Sequence, residues 1–156
     1  MPSFGYSVWG LDKDRTAIGS GRDMRISHKA AREVCRTISG MKLDRAKEYL
    51  EQVALLKVPV PYRRHNKKVA HHHGMGGLFK WHSGRFPEKA AREILQILQN
   101  VESNAEYKGL DTERCRIIHA ASQKARIIKR YIERAHGKST PYYNILTHVE
   151  LVLMEE

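Results

Sequence analysis

The sequence lacks the features of a secreted or membrane-spanning protein. It contains only two cysteines, Cys35 and Cys115, which lie far apart and form no CxxC pair. We therefore expect them to be small buried hydrophobic residues in a reducing compartment rather than a disulfide or a zinc site. No basic segment followed by an apolar one stands at the N-terminus, and no run of about 18 apolar residues occurs. These absences predict a cytoplasmic protein without a membrane partner.

Motifs that carry catalysis are also missing. The chain has no GxSxG, no Walker A loop, no GxGxxG and no HExxH. Glu102 and Glu106 form one carboxylate pair at helical spacing, and a solvated helix face accounts for both. Three adjacent histidines, residues 71–73, cannot all point at one ion, and no further pair at ligand spacing supports them. We therefore expect no enzymatic activity, no metal and no cofactor.

Acidic residues are too few to balance the basic ones. Lys and Arg number 28 against 17 Asp and Glu, which gives a net charge of +11 and an isoelectric point near 9.8. A charge of one sign is informative about partners. Nucleic acid is the favoured polyanion, because neutralising phosphates releases counterions. A chain of 156 residues with 41% hydrophobic content can bury one core, so we expect a single domain, residues 1–156.

Three amphipathic helices are predicted from apolar residues that recur every three or four positions. The first spans Ser27 to Ser39, with Ser27 as its N-cap and Gly40 as its stop. The second spans Leu43 to Leu56 and ends before Pro59 and Pro61. The third spans Pro87 to Lys108, with Pro87 at its first position and Gly109 after its end.

Two strands are predicted near the C-terminus, at Cys115–Ala121 and Thr147–Met154. In the second, Val149, Leu151 and Leu153 alternate with His148, Glu150 and Val152. The intervening residues contain no turn signal before His136-Gly137-Lys138, and a structureless loop of that length is uncommon. We therefore expect the strands to continue outward as a long β-hairpin arm, residues 122–145, with its tip near residues 130–138. An isolated hairpin is marginal in water, so its basic side chains indicate a polyanionic partner.

The segment from Lys57 to Arg85 holds seven Lys or Arg, no acidic residue and five of the nine histidines. Four aromatic residues accompany it: Tyr62, Phe79, Trp81 and Phe86. Basic side chains suit phosphates, and aromatic rings can stack on unpaired bases. The alternative is a solvated surface loop. A similar choice concerns Tyr142 and Tyr143, which can stack on bases or pack on the facing strand.

Three stretches resemble a known family. They are Met24 to Val34 with Ile38-Ser39-Gly40, then Ala91 to Asp111, and finally Arg134 to Lys138 with His148 to Leu153. In order and spacing they resemble the universal large-subunit ribosomal protein called L twenty-two in bacteria and archaea and L seventeen in eukaryotes. The resemblance covers about Gly21 to Met154. Residues 57–87 look like an insertion, and Met1 to Ser20 like an extension that is loosely ordered, which points to the archaeal-type form.

The resemblance implies an α+β fold in which three helices pack on a small three-stranded antiparallel sheet with a protruding β-hairpin. A third strand is expected near Arg22 to Ile26. The globular body would comprise residues 21–121 and 146–156, including the insertion (residues 57–87). The family further implies a structural constituent of the large subunit that binds 23S-type rRNA near the polypeptide exit. Its arm would line the exit tunnel, and its partners would be rRNA, neighbouring ribosomal proteins and the nascent polypeptide.

The residues expected to contact RNA lie in three groups. They are Arg25, His28, Lys29 and Arg32 on the first helix; Arg63, Arg64, Lys67, Lys68, His71, His72 and His73 in the insertion; and Lys124, Arg126, Lys129, Arg130, Arg134, His136 and Lys138 on the arm. Two other functions remain as alternatives. One is a DNA-binding architectural protein whose basic ribbon enters a groove, and the other is a metal-dependent RNA-modifying enzyme that uses the histidine-rich segment.

Overall fold

The fold is a three-stranded antiparallel sheet with helices packed on one face, seen in a computed structural model that describes residues 5–156. The central strand, Asn144–Glu155, pairs with Thr16–Met24 on one side and with Cys115–Ile128 on the other. The predicted α+β class, with its three-stranded sheet and long hairpin, is confirmed. In chain order the elements are β1 (Thr16–Met24), α1 (His28–Ile38), α2 (Leu43–Ala54), β2 (Val60–Pro61), α3 (Met75–Phe79), β3 (Gly84–Arg85), α4 (Glu88–Tyr107), β4 (Cys115–Ile128), β5 (Tyr131–Glu133), β6 (Ser139–Pro141) and β7 (Asn144–Glu155).

The three predicted helices appear as α1, α2 and α4, each close to its predicted bounds. Ser27 is the N-cap of α1, although among the described residues its side chain finds no capping partner. Gly40 and Gly109 follow helices α1 and α4 with positive φ angles of 83° and 75°, a conformation that glycine adopts without a Cβ clash. Pro87 is the N-cap of α4 and not its first helical residue, which corrects that prediction by one position.

A short fourth helix, α3, was not predicted. It has five residues and lies inside the insertion, between strands β2 and β3. Its first residue, Met75, is buried, and the Met75 sulfur lies 2.6 Å from the position that a Cβ on Gly84 would take. The insertion therefore contains a short helix and a two-residue strand pair, whereas most of residues 63–74 are exposed and lie outside helices and strands.

The third strand of the sheet begins earlier than expected. Strand β1 covers Thr16–Met24, whereas the resemblance implied residues near 22–26. Thr16 pairs with Met154 and Gly21 with Val149, with an irregularity between Gly21 and Met24. The expectation that Met1 to Ser20 are loosely ordered is thus wrong for residues 16–20, because they hydrogen-bond to β7. Residues 1–4 lie outside the described part.

Both faces of the central strand β7 are covered. Val149, Leu151 and Leu153 face the helices and belong to the main core. On the opposite face, Val152 and Glu150 are also buried. The backbone N–H and hydroxyl of Ser7 both donate to Glu150 Oε2, at 3.0 and 2.7 Å. The N-terminal segment is therefore held against the outer face of the sheet.

The core matches the predicted apolar stripes of the helices. Val34 and Ile38 of α1, Leu50 of α2 and Leu98 of α4 are fully buried. Cys35 and Cys115 are buried free thiols, and burial raises the pKa of Cys35 to about 12. Both cysteines therefore act as small apolar residues, as expected from the sequence.

The arm is one antiparallel ribbon. Strand β4 pairs with β7 as far out as Ile128 opposite Asn144, and β5 pairs with β6 beyond that point. The Tyr142 N–H donates to the Arg130 carbonyl at 2.7 Å and links the two ladders. His136 and Gly137 turn the chain at the tip, both with positive φ, as in type I′ hairpin turns. Within residues 5–156, no helix has the length and apolar character needed to span a bilayer.

Candidate nucleic-acid interface

A basic groove lies between the start of α1 and the insertion. It has a volume of about 920 Å³. Six cationic side chains line it: Arg25, Lys29, Arg64, Lys67, Arg85 and Lys89. Among the described residues around it, Glu88 is the acidic one, and its carboxylate is paired with Arg92 at 2.7 Å. The groove is therefore strongly electropositive and suited to a polyanion.

A buried carboxylate brings the insertion to α1. Glu33 has no exposed surface, and it accepts hydrogen bonds from the backbone N–H groups of Arg63, Arg64 and His65 at 3.0–3.1 Å. These are charge-assisted bonds, which are stronger than bonds between neutral groups. They fix the position of the backbone at residues 63–65, from which the Arg64 side chain reaches the groove.

Apolar and aromatic side chains line the groove alongside the cations. Ile26, Tyr62, Phe86 and Pro87 line it. Tyr62 is only 5% exposed, and burial raises its pKa to about 12 although nearby Arg85 opposes that shift. The Arg85 guanidinium lies 5.8 Å from the Tyr62 ring centroid, within cation–π range. Apolar rings and cations thus meet in one concave surface.

The groove adjoins the base of the arm. The pKa of His28 is lowered, first by burial and then by the positive charges of Lys29, His65 and Lys124. These three residues belong to α1, the insertion and the arm. The Ser122 hydroxyl also donates to the His28 carbonyl at 3.4 Å. The positive surface therefore continues from the groove to the arm at His28.

On the arm, every residue from 129 to 144 is exposed. The predicted contact residues Lys124, Arg126, Lys129, Arg130, Arg134, His136 and Lys138 all present exposed side chains along it. Tyr143 packs edge-to-face on Tyr131 of the opposite strand, with centroids 6.0 Å apart, so it takes the packing role. Tyr142 is 63% exposed and free to meet a partner.

The structure brings four of the predicted contact residues together in the groove: Arg25, Lys29, Arg64 and Lys67. Two others have structural contacts. Arg63 donates to the Phe79 carbonyl at 2.9 Å, and the His72 ring lies 3.1 Å from the Gly84 carbonyl. Arg32 is half-buried on α1, while Lys68, His71 and His73 are exposed outside the groove. Among the described residues, no group of three or more His, Cys, Asp or Glu side chains converges on a metal site.

Two groove cations were not among the predicted contacts. Arg85 belongs to the basic segment and directly precedes Phe86. Its position next to an aromatic residue was the sequence feature that could have indicated an RNA contact. Lys89 lies in the first turn of α4, and in the sequence it cannot be told from any other solvated lysine on a helix. Only the approach of the insertion to α4 distinguishes it.

Comparison with known proteins agrees with the α+β fold. The model of the family described as ribosomal protein L22p/L17e matches residues 19–154. The chain belongs to this family. Membership confirms the resemblance to the large-subunit protein called L twenty-two or L seventeen, and members of this family are structural and not enzymatic.

Relatives described as large ribosomal subunit protein uL22 match nearly the whole chain. The protein of Methanopyrus kandleri is 52% identical over 93% of this chain and 90% of its own length. The protein of Hyperthermus butylicus is 46% identical over 100% of this chain and 99% of its own length. That of Methanococcus vannielii is 48% identical over 99% of each. The Hyperthermus butylicus match covers the whole chain and so includes the insertion and the N-terminal extension, and the assignment to the archaeal-type form is confirmed.

Proposed function

We propose that this L22p/L17e family member is a structural constituent of the large ribosomal subunit in the cytoplasm and binds 23S-type rRNA through two surfaces. One surface is the basic groove with the adjoining start of α1. The other is the arm. The observation that carries the proposal is the convergence of six cations from the β1–α1 connection, α1, the insertion and α4 on one concave surface. Phosphate contacts of this kind position a protein on RNA without reading its sequence.

The arm is the part that extends into rRNA. Its outer residues make no core of their own and carry exposed cations on both strands, so ordering such a ribbon is favoured by an RNA partner on either side. We place its tip at the wall of the exit tunnel, where the nascent polypeptide passes. The body would lie near the polypeptide exit, in contact with several rRNA domains and with neighbouring ribosomal proteins.

The test is co-sedimentation of a tagged copy with large subunits after a wash at roughly 0.5 M salt, where the Debye length is a few Å. We expect the protein to remain stoichiometric with the subunit. A copy that moves to the top of the gradient would contradict integral assembly. Equal affinity of the purified protein for DNA and for structured RNA at physiological salt would then favour a DNA-binding architectural role.

A further inference from the structure

The groove combines cationic side chains with apolar ones, whereas contact with the backbone of a duplex requires only the cations. Six exposed cations line it, but so do the apolar or aromatic side chains of Ile26, Tyr62, Phe86 and Pro87. Double-stranded RNA is recognised mainly by shape and by contacts to phosphates and 2′-hydroxyls, whereas splayed-out bases stack on aromatic side chains. A groove lined by both apolar side chains and cations therefore suits a nucleotide that presents both its base and its phosphate.

The size and shape of the groove agree with such a ligand. Its volume of about 920 Å³ lies at the upper end of the range of roughly 300–1,000 Å³ for small-molecule and cofactor sites. A concave site admits a base that has left its stack. The exposed cations that line the groove are available to the phosphates on either side of that base.

Among the aromatic residues of the insertion, Phe86 is the one placed to contact a base. Tyr62 is almost fully buried, and the Trp81 indole N–H donates to the Tyr62 carbonyl at 2.8 Å. Phe79 packs on Tyr49 with centroids 6.0 Å apart. Phe86 is only partly buried and lines the groove.

The orientation of Phe86 is set from one side. The His72 ring packs against it at 5.2 Å with an interplanar angle of 78°, and His72 is itself held near the Gly84 carbonyl. A ring fixed in this way loses little conformational freedom when a ligand binds, which favours binding.

We propose that the groove binds an unpaired, extrahelical nucleotide of the large-subunit rRNA, with its base against Phe86 and its flanking phosphates on Arg64, Lys67 and Arg85. The proposal rests on the rRNA-binding function above and names the form of RNA that the groove takes. Arg25 and Lys29 neutralise the strand where it leaves the groove toward α1. The groove thus reads an irregularity in RNA secondary structure, whereas the arm contacts the backbone.

The experiment is chemical probing of base reactivity in large subunits that carry the full chain, using dimethyl sulfate and a carbodiimide as probes. Subunits with Phe86→Leu are compared with wild-type subunits and with the control Tyr107→Leu. Tyr107 is 94% exposed at the end of α4, so the control removes an aromatic ring away from the groove. Co-sedimentation of each variant is measured in the same preparations.

We expect Phe86→Leu to co-sediment normally and to raise the reactivity of one or two unpaired bases by roughly 10-fold, because the base no longer stacks on an aromatic ring. Tyr107→Leu should leave those bases protected. Unchanged base reactivity in an assembled Phe86→Leu subunit would overturn the nucleotide proposal while leaving rRNA binding intact. Failure of the wild-type chain to co-sediment would instead refute the proposed function.

A second readout covers the case in which Phe86→Leu does not assemble. A photoreactive p-benzoylphenylalanine at position 86 keeps an aromatic ring in the groove, and irradiated subunits are mapped by primer extension. Cross-links to an unpaired nucleotide support the proposal. Cross-links confined to a base-paired strand or to another protein would overturn it.

Discussion

At the scale of single residues, two buried carboxylates connect distant segments. Glu33 on α1 accepts three backbone N–H groups of the insertion, and Glu150 on β7 accepts the N–H and hydroxyl of Ser7. Burying a charge is costly unless hydrogen bonds compensate it. Each carboxylate is therefore a point at which the loss of one side chain should release a whole segment.

Glu33→Gln should loosen the insertion without unfolding the helices. The amide keeps one acceptor oxygen but replaces the other with an NH2 group, which faces N–H donors and cannot accept from them. We expect the free energy of unfolding to fall by about 1–3 kcal/mol. The backbone amides of residues 63–65 should exchange hydrogen faster than in the wild type. The control is Glu51→Gln, at an exposed position on α2. Equal exchange rates in both variants would show that Glu33 does not hold the insertion.

Stability should fall in acid in a way that depends on Glu150. Burial alone raises the pKa of Glu150, but the hydrogen bonds from Ser7 and the positive charge of Arg22 outweigh it, so the pKa lies below its ordinary value of 4.5. A group with a depressed folded pKa contributes stability above its unfolded value and loses it as the pH falls through the folded value.

We therefore expect the urea midpoint to drop below about pH 4.5 in the wild type, and this drop to be smaller in Glu150→Gln. Denaturation is followed by circular dichroism between pH 7 and pH 3. The same substitution at Glu106, an exposed position on α4, is the control. If the two variants lose stability equally on acidification, Ser7 and Arg22 do not hold Glu150 in its charged form.

At the scale of elements, sequence periodicity predicted the helices and strands that have one continuous apolar side. The stripes of α1, α2 and α4 and the alternation of β7 were found because one side of each element is apolar throughout. Strand β1 gave no such pattern, since it contains Gly19, Gly21 and Arg22 and a positive φ at Asp23. Gly19 is required there by packing, because a Cβ would meet Val101 of α4. That requirement involves a residue far along the chain, so periodicity could not reveal it.

The groove was only partly predictable for the same reason. The basic segment, its aromatic residues and the cations of α1 were visible in the sequence. Their convergence depends on Glu33 contacting residues 30 to 32 positions away, and on Lys89 lying across from the insertion. A charge count can predict a polyanionic partner, but it cannot show which cations share one surface.

The arm should be dispensable for folding of the body. Replacing residues 129–143 with an Asn-Gly turn would close the hairpin where Ile128 pairs with Asn144. The removed side chains are exposed, so we expect a melting temperature within a few degrees of the wild type, which corresponds to less than about 1 kcal/mol. Thermal circular dichroism measures it. Melting of the entire domain at a much lower temperature would mean that body and arm are one cooperative unit.

At the scale of the whole molecule, the acidic residues Glu33 and Glu150 are buried in the body, whereas the groove and the arm present exposed cations. The net charge of +11 is therefore concentrated on binding surfaces, where self-repulsion is relieved when counterions or phosphates approach. Stability and binding should accordingly respond to different substitutions.

This separation predicts the effect of removing charge from the groove. Changing Arg25, Lys29, Arg64 and Lys67 together to Gln should leave the melting temperature nearly unchanged, because all four side chains are exposed. Binding to large-subunit rRNA should weaken. The slope of the logarithm of the binding constant against the logarithm of salt concentration should become shallower by roughly three, because each phosphate that the variant no longer neutralises contributes about 0.7–0.9. Filter binding between low and physiological salt measures both.

The control removes the same number of exposed cations outside the groove, the insertion and the arm, by changing Arg36, Lys42, Arg45 and Arg114 to Gln. Both variants have the same net charge, so a general electrostatic attraction would weaken binding equally in the two. We expect the salt slope of the control to stay within about one of the wild type, since long-range attraction is screened beyond roughly 10 Å at 0.1 M salt. Equally weakened binding would mean that the net charge of the chain, and not the groove between α1 and the insertion, determines its affinity for rRNA.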